Sequence, residues 1–253
     1  MPPHIAVTAE KVTFAQTLAA GDGVLTPESG FTWGGGGPNG VGGPALKLPG
    51  SIKLLLGAML LGHLAQAFLP FEQRHWLEIT FALWMFSGGE FLPERAYSLL
   101  TYAFLHGDWW HLIFNALWIA ILGSKLHEVL GTGRFLILFA LSTAFAGVVQ
   151  VASGWGETTL TIGASGFVYA LVACIAYLYV LQPSDSPAER RKKLLVFSLA
   201  IAFVNVAFAY VAGGFVTAGG IAWQAHAGGF LAGLVLFPPL ARSAFRARHG
   251  AAG

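Results

Sequence analysis

This sequence contains a serine and a histidine that could act as a nucleophile and its base, and a second histidine paired with an asparagine at helical spacing. Ser165 stands in the run Gly163-Ala-Ser-Gly166, and His226 follows much later in the chain. A serine hydroxyl becomes a useful nucleophile when a base takes its proton, and neutral imidazole is suited to that task near neutral pH. His111 and Asn115, four residues apart, share one helical face and can donate hydrogen bonds.

Each of these residues, taken alone, has a simpler interpretation. Ser165 in an isolated GxSG run is favoured as the N-cap of a helix. It does not form the GxSxG nucleophile elbow, because Phe167 occupies the last position and no strand is predicted before it. A lone His226 is more often a hydrogen-bonded core histidine than a base. His111 and Asn115 could simply make interhelical hydrogen bonds.

Composition excludes a soluble enzyme. Of the 253 residues, 55% are hydrophobic and 10% are charged, with a mean hydropathy of +0.65. Soluble domains are about 45–50% apolar and about 25% charged. The net charge of +2 does not indicate nucleic-acid binding, and the single cysteine, Cys174, excludes an intrachain disulfide and a cysteine-based zinc site. We therefore expect a polytopic membrane protein in contact with the lipid bilayer.

Six apolar segments approach the length of about 20 residues that a spanning helix needs. The predicted fold is an all-α, six-helix membrane bundle with a long interfacial first loop. The segment Trp76–Phe86 is too short to span and carries Glu78, so it is predicted to be an interfacial or re-entrant part of that loop. The six predicted spans are Ile52–Leu69, Trp110–Leu130, Phe135–Ala152, Gly163–Leu181, Leu194–Ala212 and Trp223–Leu240.

The basic residues predict the orientation of this bundle. Of the Lys and Arg residues, twelve lie on the side of the N-terminal tail and only Arg74 and Arg95 lie on the other. This positive-inside bias predicts that both termini are cytoplasmic. The twelve are Lys11, Lys47, Lys53, Lys125, Arg134, Arg190, Arg191, Lys192, Lys193, Arg242, Arg246 and Arg248.

Three regions are expected along the chain. Residues 1–50 are rich in Gly and Pro without sustained apolar periodicity, which predicts a disordered cytoplasmic tail. Residues 51–240 form the membrane domain, and residues 241–253 form a short basic cytoplasmic tail. A signal peptide is not expected, because Gln16 interrupts the short apolar run Val12–Ala20. Arg190–Lys193 is read as a solvated loop.

The predicted topology brings the polar residues to one depth. The second, fourth and sixth helices run from outside to inside, and each carries its notable polar residues in its first turns. Polar groups inside apolar spans usually face the bundle or a wet cavity. In the sixth helix, Gly229 and Gly233 form a GxxxG row that allows close approach of another helix, and His226 lies on the same face as Gly233. These residues are expected to form one shared site.

The ordered set of motifs resembles the rhomboid family of intramembrane serine proteases over residues 50–240. The motifs are His111-Leu-Ile-Phe-Asn115, Gly163-Ala-Ser165-Gly166 and Ala225-His226-Ala-Gly228-Gly229-Phe-Leu-Ala-Gly233. The resemblance implies that Ser165 is the nucleophile and His226 the base of a Ser–His dyad. It implies that His111 and Asn115 stabilise the oxyanion and that Tyr169 packs against the catalytic histidine.

The same resemblance implies an endopeptidase that cleaves transmembrane segments of other membrane proteins. Neither a metal nor an organic cofactor is expected. The protein is expected to be a multi-pass protein of a bacterial inner membrane. Two other classes remain open. A transporter would place the polar residues in an ion path, although broken helices and inverted repeats are not visible. A non-catalytic rhomboid-like protein that binds membrane proteins would share the fold.

Overall fold

The computed structural model describes residues 48–85, 93–153, 159–181, 184–212 and 222–249. All but the last three residues of the predicted tail 1–50 lie outside this part of the chain. Phe86, the last residue of the predicted interfacial segment, also lies outside it.

Helices dominate the described residues. A 3₁₀ turn at Pro93–Arg95 precedes the short helix Ser98–Thr101, and a second one, Tyr102–Phe104, follows it. A single π-helical turn, Ile119–Gly123, continues the helix Trp109–Trp118, and another, Ala176–Val180, continues the helix Ser165–Ile175. The helices are α1 (Gly50–Phe68), α2 (Phe71–Phe81), α3 (Ser98–Thr101), α4 (Trp109–Trp118), α5 (Ser124–Ser153), α6 (Ser165–Ile175), α7 (Pro187–Ala212) and α8 (Trp223–His249).

Three helical stretches in this part of the chain are long and apolar enough to cross a membrane, namely Gly50–Phe68, Trp109–Ser153 and Trp223–Arg248, with a shorter apolar helix at Ser165–Val180. The 45-residue stretch would be about 68 Å long if it were straight, which is about twice the hydrocarbon thickness of a bilayer. Gly131 interrupts it with φ of 73°, a left-handed value that favours glycine. The two helices predicted there are therefore separated as expected.

The N-terminus of α7 differs from the prediction. The helix begins at Pro187 rather than Leu194, so Arg190–Lys193 is helical and not a loop. The Ser186 hydroxyl accepts from the Glu189 N–H at 3.3 Å, and Glu189 Oε2 accepts from the Ser186 N–H at 2.7 Å. This is a capping box followed by proline at the first helical position. The sequence Ser-Pro-Ala-Glu is typical of a helix N-terminus, but the prediction began at Leu194 because it followed the apolar run that comes later.

The C-terminus of α8 also differs from the prediction. The helix continues through Pro238 and Pro239 to His249, so it does not end at Leu240, and most of the predicted basic tail is helical. Ala241 and Ala244 are buried beyond the proline pair. Packing of this extension compensates for the backbone hydrogen bonds that proline cannot make.

Two short strands modify the all-α prediction. β1 (Leu83–Met85) pairs antiparallel with β2 (Thr159–Thr161), with Trp84 opposite Leu160. The strands therefore tie the first loop to the segment that leads into α6. The expectation that no strand precedes Ser165 was wrong, because three residues rich in β-branched side chains give too little periodicity to recognise. The predicted interfacial segment forms the end of α2, and then β1.

The short helix α6 is the centre of the bundle. Phe167, Ala170, Leu171 and Cys174 are all completely buried. A helix that is apolar on every side must be surrounded by other helices. By contrast, large apolar side chains such as Leu61 on α1 and Val235 on α8 are about 70% exposed. This outer surface fits contact with lipid rather than water.

Candidate active site

The start of α6 positions Ser165. Gly163 has φ of 115°, a value rarely adopted by residues with a side chain, and its N–H donates to the Tyr102 carbonyl at 2.9 Å. Ala164 is the N-cap and makes no side-chain capping bond. Ser165 is thus the first helical residue, and its hydroxyl is not the cap that the isolated motif would favour.

The Ser165 hydroxyl instead contacts a histidine on another helix. His226 Nε2 lies 2.8 Å from Ser165 Oγ, although the two residues are 61 positions apart in the chain. His226 is 6% exposed and lies in the first turn of α8, whereas Ser165 is half-buried. A hydroxyl within hydrogen-bond reach of an imidazole nitrogen is the geometry required for proton transfer between nucleophile and base.

Tyr169 lies one helical turn after Ser165 and stacks on the histidine. Its ring centroid is 4.3 Å from that of His226, with an angle of 11° between the planes. The stacking restricts rotation of the imidazole from one side. The structure therefore brings Ser165, Tyr169 and His226 together.

The predicted glycine row on α8 faces α6. A Cβ at Gly229 would overlap the carbonyl of Gly166 and lie 2.6 Å from its carbonyl carbon. A Cβ at Gly233 would lie 2.9 Å from the Cα of Ala170. Close approach of two backbones is what small residues at a helix interface allow. The glycines therefore set the distance between the helices that carry the serine and the histidine.

The His111 ring of α4 lies against Gly163, two residues before Ser165, whereas Asn115 contacts its own helix. Asp108 caps α4 by accepting from the His111 N–H at 2.8 Å. The His111 ring lies against Gly163, where a Cβ would be 2.6 Å from its Nε2. Asn115 is buried and its amide donates to the His111 carbonyl at 2.9 Å. This bond is within α4, so it is not the interhelical bond considered from the sequence.

Asn205 on α7 is a polar neighbour of the site that the sequence reasoning missed. Its Oδ1 lies 2.8 Å from His226 Nδ1, and its Nδ2 donates to the Trp223 carbonyl at 3.1 Å. The sequence had suggested a Ser–His dyad without a third residue. A lone amide within an apolar span was the signal that could have found it.

A second group of histidines lies behind His111. His106, in the turn before α4, has its ring centroid 5.0 Å from that of His111, and the His63 Nδ1 lies 3.0 Å from the His106 carbonyl. Burial, with smaller contributions from the neighbouring His111 and His63, lowers the pKa of His106 to about 3. His106 is therefore neutral near pH 7. Within the described residues, no three His, Cys, Asp or Glu side chains are arranged to hold a metal ion.

Comparison with known proteins gives the same family. Residues 93–243 match the Rhomboid domain model. The chain is 30% identical over 154 residues to the rhomboid protease GlpG of Pectobacterium atrosepticum, covering 60% of this chain and 51% of the relative. It is 29% identical over 163 residues to rhomboid protease GlpG of Yersinia pestis strain Pestoides F, covering 62% and 52%.

The chain spans about half the length of these curated relatives. The match to the family model includes more than half of the chain and contains all the residues that the structure brings together around Ser165. It contains β2 but not β1. This chain belongs to the rhomboid family.

Proposed function

We propose that this chain is an intramembrane serine endopeptidase. The observation that carries the proposal is the 2.8 Å separation between Ser165 Oγ and His226 Nε2, located among helices long and apolar enough to lie in a bilayer. The relatives named as rhomboid proteases support the same activity. We assign Ser165 as nucleophile and His226 as general base.

The first chemical step follows from this geometry. His226 Nε2 accepts the Ser165 hydroxyl proton while Oγ forms a bond to the scissile carbonyl carbon, whose π electrons move to the oxygen. When this tetrahedral intermediate collapses, the C–N bond breaks and the imidazolium gives its proton to the leaving amine. Water then attacks the acyl-enzyme with His226 again as base, which releases the acid product and restores Ser165.

The oxyanion of the tetrahedral intermediate needs preorganised donors. The Ser165 N–H is at the N-terminus of α6, where the first N–H groups have no intrahelical acceptor and the helix dipole favours negative charge. The Asn115 amide has two N–H groups, of which the His111 carbonyl accepts one. We assign Asn115 and the His111 ring as the side-chain donors, with Tyr169, Gly163, Gly229 and Gly233 as supporting residues.

The proposed membrane topology has six crossings and both termini in the cytoplasm. Arg134 hydrogen-bonds to Ser243, and Arg248 donates to the carbonyl of Glu128, so basic residues gather at the C-terminal end of α8. His226 lies at the opposite end of the same helix, about 25 Å away at 1.5 Å per residue. This arrangement supports a site near the outer face, where water can enter, in a bacterial inner membrane.

Two exposed positions can test the topology in a Cys174→Ala background. Glu72 and Ala188 are both exposed, and each is replaced in turn by cysteine. A membrane-impermeant thiol reagent added to intact cells is expected to label the variant at position 72 and not the one at position 188. The reverse pattern would overturn the orientation.

The substrates proposed for this site are transmembrane segments of other proteins. A peptide bond can reach Ser165 only when it is extended, so segments whose helix is weakened by small residues near the outer face are expected to be preferred. The alternative is a non-catalytic rhomboid-like protein that binds such segments. The Ser165–His226 contact favours catalysis, since a binding protein has no need of a hydroxyl paired with an imidazole.

Cleavage of a generic transmembrane substrate in liposomes tests the proposal. Wild type is expected to cleave it, and Ser165→Ala and His226→Ala are each expected to abolish cleavage while the protein stays folded. The double variant should lose little more, because the two residues act as a unit. A serine-reactive phosphonate should label wild type at Ser165.

Ser142→Ala is the matched control. Ser142 is completely buried on α5 and donates to the Leu138 carbonyl at 2.6 Å, so this variant also loses one buried hydroxyl but should keep cleavage and labelling. Robust cleavage by Ser165→Ala would exclude the assignment. Specific binding of the substrate by a wild type that neither cleaves it nor reacts with the phosphonate would favour the non-catalytic alternative.

A further inference from the structure

Asn205 is set apart from the rest of α7 by its burial. It is 4% exposed, and it is the only buried residue among residues 187–207, for which α7 side chains are described. Its neighbours Val204 and Val206 are more than half exposed. A polar side chain that is directed inward from an otherwise outward-facing helix needs partners that offset its desolvation.

Its two hydrogen bonds fix the orientation of the amide. The backbone carbonyl of Trp223 can only accept, so the Asn205 nitrogen must face it, and this contact measures 3.1 Å. Asn205 Oδ1 then faces His226 Nδ1 at 2.8 Å. An amide oxygen can only accept, and therefore the Nδ1 of His226 must carry a proton.

The amide thereby determines which tautomer the histidine adopts. With the proton on Nδ1, neutral His226 has its free lone pair on Nε2, the atom that lies 2.8 Å from Ser165 Oγ. A base that is to accept the serine proton needs this tautomer. Tyr169 stacks on the face of the ring and cannot select between the two nitrogens, so the selection comes from Asn205.

We infer that Asn205 is the positioning residue of His226, which makes the site a Ser165–His226–Asn205 triad rather than a dyad. This inference rests on the proposed peptidase function. The third member here is a neutral amide. It holds the imidazole in the correct tautomer and orientation without adding a negative charge beside the imidazolium that forms during the reaction.

Three variants of Asn205 test the inference. Asn205→Leu keeps a similar volume and removes the acceptor, so kcat is expected to fall by about 10²-fold or more, with KM nearly unchanged. Asn205→Asp keeps an oxygen acceptor for Nδ1–H, whether its carboxyl group is ionised or protonated. This variant is expected to restore kcat at least tenfold above the leucine variant. Asn205→Ala should have kcat and KM values similar to those of Asn205→Leu.

Ser198→Ala is the matched control, because Ser198 lies seven residues earlier on the same face of α7 and is half-buried. Thermal unfolding in detergent and the rate of phosphonate labelling at Ser165 accompany each kinetic measurement. If Asn205→Leu does not fold, Asn205→Ala takes its place, and the same difference in kcat from Asn205→Asp is expected. The control is expected to keep wild-type values throughout.

If wild type cleaves the substrate, either of two results would overturn the inference about Asn205 without affecting the proposed function. One is a wild-type kcat in the leucine or alanine variant. The other is an aspartate variant no more active than these, which would mean that Asn205 only packs. If wild type neither cleaves nor reacts with the phosphonate, the proposed function fails and the inference fails with it.

Discussion

The helix that carries the candidate base, α8, meets two of its neighbours, α6 and α7, in different ways. α8 approaches α6 through backbone, since Gly229 and Gly233 leave no room for a Cβ against Gly166 and Ala170. It approaches α7 through side chains, and the Phe197 and Phe230 rings stack with centroids 6.2 Å apart. The first contact fixes the distance between two helices. The second contact adds an amide that determines how a ring is oriented and protonated.

This difference separates two requirements of a serine hydrolase site. The nucleophile and base must be held within a fraction of an ångström, which close backbone packing can do. The base must also present its unprotonated nitrogen to the nucleophile. A single polar group can ensure this without extensive packing between the helices. We therefore expect changes in the α6–α8 contact to affect folding and catalysis together, and changes in α7 to affect one of them at most.

The largest combined effect on stability and catalysis is expected from Gly229→Ala. The added Cβ would overlap the Gly166 carbonyl, so the helices must separate and the Ser165–His226 hydrogen bond must lengthen. Overpacking of this kind typically costs about 1–3 kcal/mol, and a 1 Å displacement at a reacting centre can cost about 10²-fold in rate. Cleavage assays and thermal unfolding should both show the loss.

The control for this change is Gly57→Ala on α1. Nothing lies within 4 Å of a Cβ built at Gly57, and alanine is a better helix former than glycine. It should leave cleavage intact and stability equal or higher. If Gly229→Ala behaves like this control, close packing does not set the site.

Asn115→Ala tests a donor that belongs to neither contact. Removing one oxyanion donor typically costs about 10²–10³ in kcat, roughly 2.7–4 kcal/mol. KM should change little, because the charge that Asn115 is proposed to stabilise exists only in the transition state. Steady-state kinetics measure the split between kcat and KM. An unchanged kcat, or a loss explained by unfolding, would rule out the oxyanion role.

Tyr169 provides a smaller test on the α6 side. Tyr169→Ala removes the ring stacked on His226, and aromatic pairs of this kind contribute about 0.5–1.5 kcal/mol. We expect kcat to fall by up to about tenfold. Tyr169→Phe keeps the ring and should remain close to wild type. A large loss in the phenylalanine variant would show that the hydroxyl matters more than the stacking.

The smallest effect is expected from Phe203→Ala on α7. Phe203 is 74% exposed, and substitutions away from packed or polar contacts usually change stability by less than about 0.5 kcal/mol. Its unfolding temperature and its kcat should match wild type. A strong loss of either would mean that α7 is held as tightly as α6, and the comparison would no longer stand.

The parts of the site that could be predicted from sequence are those tied to local signals. Ser165 stands beside glycines at the start of an apolar span, and Gly229 and Gly233 repeat at helical spacing after His226. These patterns predicted which faces meet, and the structure brings the residues together. The roles of Ser165, His226, His111 and Asn115 remain predictions until the variants are measured.

The partner of a buried amide is not a local property. Sequence shows that Asn205 interrupts an apolar span, but not which helix lies opposite, so its contact with His226 required the packed bundle. The strands β1 and β2 are three residues each, too short to show a period. The start of α7 was predicted too late because its capping box is polar and precedes the apolar run.

The order in which these residues are synthesised follows from their positions. The proposed nucleophile lies on α6, and its proposed base lies on α8, 61 residues later. At about 5–20 residues per second, the base follows the serine by about 3–12 seconds. Under the proposed mechanism, a growing chain that has inserted only as far as α6 carries a serine without its base. Under that mechanism, the protein is inert toward its neighbours during insertion and becomes active only when α8 is packed.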